Sequence, residues 1–186
     1  TITMGEGAVV LTQNEGLYKK LLLLRNQGRP DSGTFIHPSL GMNFRVTDMQ
    51  CGVGLAQSVK FPQVLKNKLK NYNLYKELLE GVGDLGFLKV EDGSTFVPFR
   101  FFLKTKFKDE LSRYLESSNI QVRSFFYPMH KQPPLKEYTL AYQVFNASEG
   151  LYKEGICLPL HMYLTSGDII YITNKIKDFF SNKEKK

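Results

Sequence analysis

The sequence is poor in cysteine, with two in 186 residues. Cys51 and Cys157 both sit in apolar surroundings, which predicts buried, reduced thiols; a disulfide framework or a zinc site needs more partners. No apolar run approaches the roughly 20 residues that a membrane span requires. Thr1 to Thr12 lacks a basic start, and its apolar stretch is short and broken by Gly5 and Gly7. That predicts no secretory leader and a cytoplasmic location. There is no internal repeat and no low-complexity segment. Nor is there an arginine-aromatic platform of the RNA-binding kind, although the formal net charge is +7. Lys66, Lys68, Lys70 and Lys76 are spread through helical sequence, and Lys183-Glu184-Lys185-Lys186 reads as a solvated tail. The charge is therefore mostly surface, with anion binding a secondary use.

What is present is an ordinary globular composition, 42% hydrophobic and 23% charged, with a core-forming pattern throughout. Ala8-Val9-Val10-Leu11 follows a Gly-rich turn and predicts a buried strand of a larger sheet. Thr12 to Glu15 has capping-box spacing and starts a helix with Leu17, Leu21 and Leu24 on one side, ending near Gly28. A long loop from Arg29 to Phe44 follows; loops of that length are usually functional or interfacial. Thr47-Asp48-Met49-Gln50 is a second capping box. It opens a helix of small residues, Cys51, Gly52, Gly54 and Ala56, suited to close packing. Pro62 fits the first turn of another helix. Leu65, Leu69, Tyr72 and Leu79 give that one an apolar face, and at ~27 Å it suits a connector between two lobes.

Beyond Gly81 and Gly83 the pattern reads strand, helix, strand. Phe96–Leu103 is extended, Phe107–Ser118 helical, and Ile120–Phe126 extended. Tyr127 to Leu140 is Pro-rich and predicts irregular structure. Leu158-Pro159-Leu160 is extended, and Thr165 caps a last helix with Ile169, Ile172 and Ile176 inward. The alternation predicts an α/β or α+β fold. Phe99, Phe101, Phe102, Phe125 and Phe126 read as core rather than as a stacking surface. His37 and His161 read as surface residues.

Four stretches stand in a distinctive order. They are Thr1-Ile2-Thr3-Met4-Gly5-Glu6-Gly7-Ala8-Val9-Val10; Gly41-Met42-Asn43-Phe44-Arg45-Val46-Thr47-Asp48-Met49-Gln50 with the small-residue helix to Gln57; Ile120-Gln121-Val122-Arg123 with Tyr127-Pro128-Met129-His130-Lys131-Gln132-Pro133; and Leu158-Pro159-Leu160 with Leu164-Thr165. In that order and spacing they resemble the DegT/StrS-type family of sugar aminotransferases, and the Thr-Ile-Thr and Tyr-Pro-Met-His versions are similar to perosamine-synthase-like members. Ala8 departs from the family's second glycine.

The resemblance implies the C-terminal part of a type I (aspartate-aminotransferase) fold. Residues 1–62 would close the large cofactor-binding domain, 63–80 form a connecting helix, and 81–186 make the small α+β domain. It implies pyridoxal 5'-phosphate (PLP) as cofactor, bound to a lysine immediately before Thr1. The aspartate facing the pyridine nitrogen, the aromatic stacked on the ring and the Gly-Thr phosphate loop would belong to an N-terminal half, so no catalytic residue is expected within residues 1–186. Asn43 is implied to reach across a homodimer to the partner's cofactor phosphate; an amide NH₂ is a suitable donor to that group. Arg45 either binds an anion or braces its loop. Arg123, Tyr127 and His130 are implied to hold a nucleotide-sugar substrate, against the plainer reading of an arginine paired with a surface acid and a satisfied loop histidine. The reaction implied moves an amino group from glutamate to a keto carbon of a nucleotide-linked deoxysugar. A regulatory relative of the same fold and a basic α/β binding domain stay open as alternatives.

Overall fold

Asn14 opens the first helix, α1 (Glu15–Arg25), by accepting the Leu17 amide at 2.9 Å on its side-chain oxygen. Thr12 lies two residues earlier and instead accepts the Asn14 amide, so the cap falls two residues later than the spacing predicts. In this computed structural model residues 1–30, 33, 35–138 and 143–184 are described. Residues 31, 32 and 34 of the long loop, Leu140 at the end of the Pro-rich segment, and Lys185 and Lys186 of the tail lie outside the described residues. The chain divides into two units, Thr1–Pro62 and Gln63–Lys186.

In the first unit α1 ends in a tight reversal. Gln27 and Gly28 both have positive φ, 60° and 77°. The returning chain then pairs with the end of the helix: Met42 donates to the Leu24 carbonyl at 2.8 Å, Gln27 to Met42 at 3.0 Å and Phe44 to Arg25 at 3.1 Å. The second helix, α2, begins at Asp48. Thr47 and Gln50 form the expected reciprocal cap, and the Gln50 amide also donates to the Glu6 carbonyl at 3.1 Å. That bond ties the Gly5-Glu6-Gly7 turn to the helix. Met4 lies against Gly54, 3.2 Å from where a β-carbon would stand, which is the close packing that small residues permit. Cys51, about 100° round the helix from Gln50, is exposed rather than buried as expected. The strand expected at Ala8–Leu11 does not form; Val9 and Leu11 are 81% and 89% exposed. A strand needs hydrogen-bonded neighbours, and the first unit has no strand among its described residues to pair with it.

Helix α2 runs unbroken from Asp48 to Leu79 with Pro62 inside it, where two helices were expected. Proline removes one i→i−4 bond, here to the Ser58 carbonyl, and the helix tolerates the loss. Its stretch in the second unit buries Val64, Lys68, Tyr72, Tyr75 and Leu79, a face turned from the predicted one; Leu65 and Leu69 are half-buried.

That face packs on a four-stranded antiparallel sheet of order β1-β2-β4-β3, made by β1 (Gly86–Phe87), β2 (Phe101–Lys104), β3 (Arg123–Ser124) and β4 (Gly155–Leu158). Phe102 faces Cys157 across β2 and β4, and Arg123 faces Cys157 from β3. Helices α3 (Lys108–Ser117), α4 (Asn146–Glu154) and α5 (Ser166–Glu184) complete the unit. Leu111 and Leu115 of α3, and Ile169 and Ile176 of α5, are fully buried with Phe101, Leu103 and Ile156 of the sheet. Each such side chain contributes about 1.5–3 kcal/mol through burial. The Pro-rich segment is not wholly irregular: it makes two short 3₁₀ turns, Met129–Lys131 and Pro133–Tyr138. Lys68 departs furthest from its expected exposure. It is buried, its ammonium donates to the Phe99 carbonyl at 3.1 Å, and burial lowers its pKa. Lys183 belongs to α5 rather than a solvated tail and pairs with Glu110. No helix of the described residues is long and apolar enough to cross a membrane.

Candidate functional site

Asn43 and Arg45 come together at the end of the chain that returns along α1. Asn43 bridges to Asn26 through the backbone, and its side-chain oxygen accepts a hydrogen bond from the Arg45 Nε at 3.2 Å. The arginine thereby fixes which way the amide points. With the oxygen occupied, the NH₂ is left to donate, and donation is what a phosphate oxygen requires. The sequence suits this loop at two positions: Gly28 and Gly41 pass so close that neither has room for a side chain. His37, expected at the surface without a partner, is exposed but holds the Gln27 carbonyl at 2.7 Å.

In the second unit the structure brings Tyr127 and His130 onto one helix, α4. The Tyr127 ring meets Tyr152 edge-on at 5.1 Å. The His130 ring stacks on Phe145 at 4.3 Å, and its Nε2 lies 2.9 Å from Glu149 Oε1. The other oxygen of Glu149 accepts from Lys131 at 2.5 Å. The Lys131 bond first, then the His130 bond, hold the Glu149 carboxyl below its usual pKa. Lys108 donates to the Tyr152 carbonyl at 2.6 Å and lies 4.5 Å from the ring centre. Together Lys108, Pro128, Lys131, Glu149 and Tyr152 line an open groove of about 500 Å³. His130 is thus a satisfied histidine, its side chain 13% exposed, while Tyr127 is 43% exposed.

Arg123 stands apart from this cluster, on β3 at the edge of the sheet. It is exposed, and among the described residues it has no ion-pair partner. Glu149, Phe145, Tyr152 and Lys108 carried no signal in the sequence. Glu149 lies 19 residues beyond His130, and only the fold brings them together. Phe99 and Phe126, expected in the core, are 57% and 64% exposed. With Phe96, Phe102 and Phe125 they wall a second hollow of about 170 Å³ that Arg100 and Cys157 also line. Phe102 and Cys157 alternate with Phe101 and Ile156 along β2 and β4 and so point to the other face of the sheet, while Phe96 packs against Tyr72 of α2.

The order of motifs agrees with what the chain matches. Residues 1–177 match the DegT/DnrJ/EryC1/StrS aminotransferase family. The chain belongs to that family. Similar family members include the GDP-perosamine synthases of Escherichia coli O157:H7 and Vibrio cholerae, each 29% identical, over 98% and 97% of this chain and 50% of the relative. The chain therefore spans about half the length of the curated relatives it matches. Among solved structures, the sugar aminotransferase CalS13 from Micromonospora echinospora superposes with a TM-score of 0.85 at 19% identity, over 95% of this chain and 48% of that one. The fold is mixed α/β and agrees with the C-terminal part of a sugar-aminotransferase fold.

Proposed function

We propose that the protein is a PLP-dependent aminotransferase that moves an amino group from glutamate to a keto carbon of a nucleotide-linked deoxysugar, a 4-keto-6-deoxy sugar in particular. The Asn43–Arg45 pair carries this reading. Its geometry presents an oriented amide donor within the Gly-Met-Asn-Phe-Arg stretch, which suits the phosphate of PLP.

In this reading two subunits form a homodimer in the cytoplasm, and Asn43 of one binds the cofactor phosphate of the other. PLP, held by the lysine placed immediately before Thr1, supplies the electron sink for the exchange. The residues of this chain bind and orient. Arg45 fixes the Asn43 amide and adds positive charge near the phosphate. Arg123, exposed on β3, complements the diphosphate of the substrate. Tyr127 and His130 hold the sugar nucleotide, with His130 set in place by its neighbours. The chain divides, on this proposal, into the end of the large domain (1–62), a connecting helix (63–80) and the small domain (81–186).

Titrating the purified protein with PLP, and then with glutamate, tests the reading. A visible absorbance band on adding PLP, bleached by glutamate and restored by a keto sugar nucleotide, is the expected result. A protein that takes up no PLP instead supports a regulatory relative of the same fold.

A further inference from the structure

We infer that Glu149 is a positioning residue for nucleotide-sugar binding. It locks the segment from Tyr127 to Lys131 onto α4 so that Tyr127 and His130 are presented in one arrangement. The inference rests on the role proposed above for those two residues.

The backbone of the segment is held by the buried Pro128 and by two bonds of 3.0 Å, from Lys131 to the Pro128 carbonyl and from Gln132 to the Met129 carbonyl. From Tyr127 to Gln132 it makes one 3₁₀ turn, Met129–Lys131, with no side-chain cap. Such a turn is too short to hold its side chains unaided. Glu149 adds a constraint on the side chains by engaging two consecutive residues at once, one carboxylate oxygen on His130 Nε2 at 2.9 Å and the other on Lys131 Nζ at 2.5 Å. Two contacts from one carboxylate fix both the rotation and the position of the turn. Two further contacts come from the same helix and its start. Phe145 stacks on the His130 ring and Tyr152 meets Tyr127 edge-on. Lys108 in turn anchors Tyr152 from α3. The links from Glu149 and Phe145 to His130 and from Tyr152 to Tyr127 each join a residue proposed to touch substrate to one that does not.

The carboxylate acts through the geometry of others, so its loss should weaken substrate binding more than turnover. A misplacement of about 1 Å in a binding group is enough for a large effect. In the full-length PLP-loaded enzyme, Glu149→Gln is expected to raise KM for the nucleotide sugar about tenfold with kcat within about twofold. Lys131→Gln removes one arm of the lock from an accessible side chain and leaves the core intact; a rise of about threefold is expected. The double variant should not exceed Glu149→Gln alone, because both changes break the same contact.

Calorimetric titration with GDP, UDP and dTDP in turn gives a readout independent of catalysis, and the affinity for the accepted nucleotide should fall in the same order. If Glu149→Gln lowers the melting temperature while KM and nucleotide affinity stay unchanged, the residue is structural only and the inference is overturned. Should Glu149→Gln not fold, an unchanged KM in Lys131→Gln overturns it equally. A wild-type protein that transfers no amino group and binds no nucleotide removes the functional reading itself, and this role with it.

Discussion

Gly28 and Gly41 cross at a distance that excludes any side chain. A β-carbon on Gly41 would stand 2.2 Å from the Gly28 nitrogen, and one on Gly28 would stand 1.8 Å from the Ser39 carbonyl oxygen. Both obstacles are backbone, so no side-chain rotation relieves them. Asn43 follows two residues later on the same returning chain. Gly41→Ala should therefore destabilise the first unit by about 2–4 kcal/mol and displace Asn43. The denaturant midpoint and the affinity for PLP should fall together. A variant with unchanged midpoint would show that the loop can shift without cost.

The bond from Arg45 to Asn43 allows a sharper test of the phosphate contact. An aspartate at position 43 keeps an oxygen for the Arg45 Nε, so the loop should hold. It replaces the outward NH₂ with a second oxygen, which repels a phosphate instead of donating to it. Asn43→Asp should weaken PLP binding by at least about tenfold, or about 1.4 kcal/mol, with little change in thermal stability. Asn43→Ala loses the donor without adding repulsion, and should fall between this variant and the wild type. PLP affinity equal in all three would remove Asn43 from the site.

Where the sequence alone succeeded, local rules decided the outcome. Thr165 and Asp168 cap α5, and Ile169, Ile172 and Ile176 are buried as their spacing predicts, because a helix face is set by residues three and four apart. The proposed roles of Asn43 and Tyr127 rest instead on the motifs around them. The failures have non-local causes. Ala8–Leu11 has strand composition, but a strand exists only with neighbours. Pro62 marks a helix start by statistics, yet the turns on either side of it hold α2 in one piece. The burial of Lys68 depends on Phe99, 31 residues away, and the contact of Glu149 with His130 depends on the placing of α4. No spacing rule reaches across such gaps.

Tyr75 offers a test of the core. It is fully buried, its ring stacks on Phe101 at 4.7 Å, and among the described residues its hydroxyl has no hydrogen-bond partner. Burial first, then the charge of Asp168, push the phenol pKa upward. A buried unsatisfied hydroxyl costs free energy, and removing it while keeping the ring should relieve that cost. Tyr75→Phe is thus expected to stabilise the protein by up to about 1 kcal/mol in chemical denaturation. A loss of more than about 1 kcal/mol would show that the hydroxyl has a partner after all.

The cap of α5 should make stability depend on pH in the acid range. The Asp168 carboxyl accepts the Thr165 hydroxyl at 2.7 Å and the Thr165 amide at 2.8 Å. The hydroxyl bond first, then the amide bond, hold its pKa below the ordinary 3.8. A carboxyl whose folded pKa lies below its unfolded one stabilises the fold above the unfolded value, and that contribution fades as pH falls through the folded value. Glu149 behaves alike below its ordinary 4.5. The wild-type denaturation midpoint should then fall as pH drops from about 5 toward 2. Asp168→Asn should lower the midpoint at neutral pH, flatten the slope below about pH 4, and leave the slope above pH 5 unchanged. A wild-type slope retained in full by the variant would mean that other carboxyls account for the acid sensitivity.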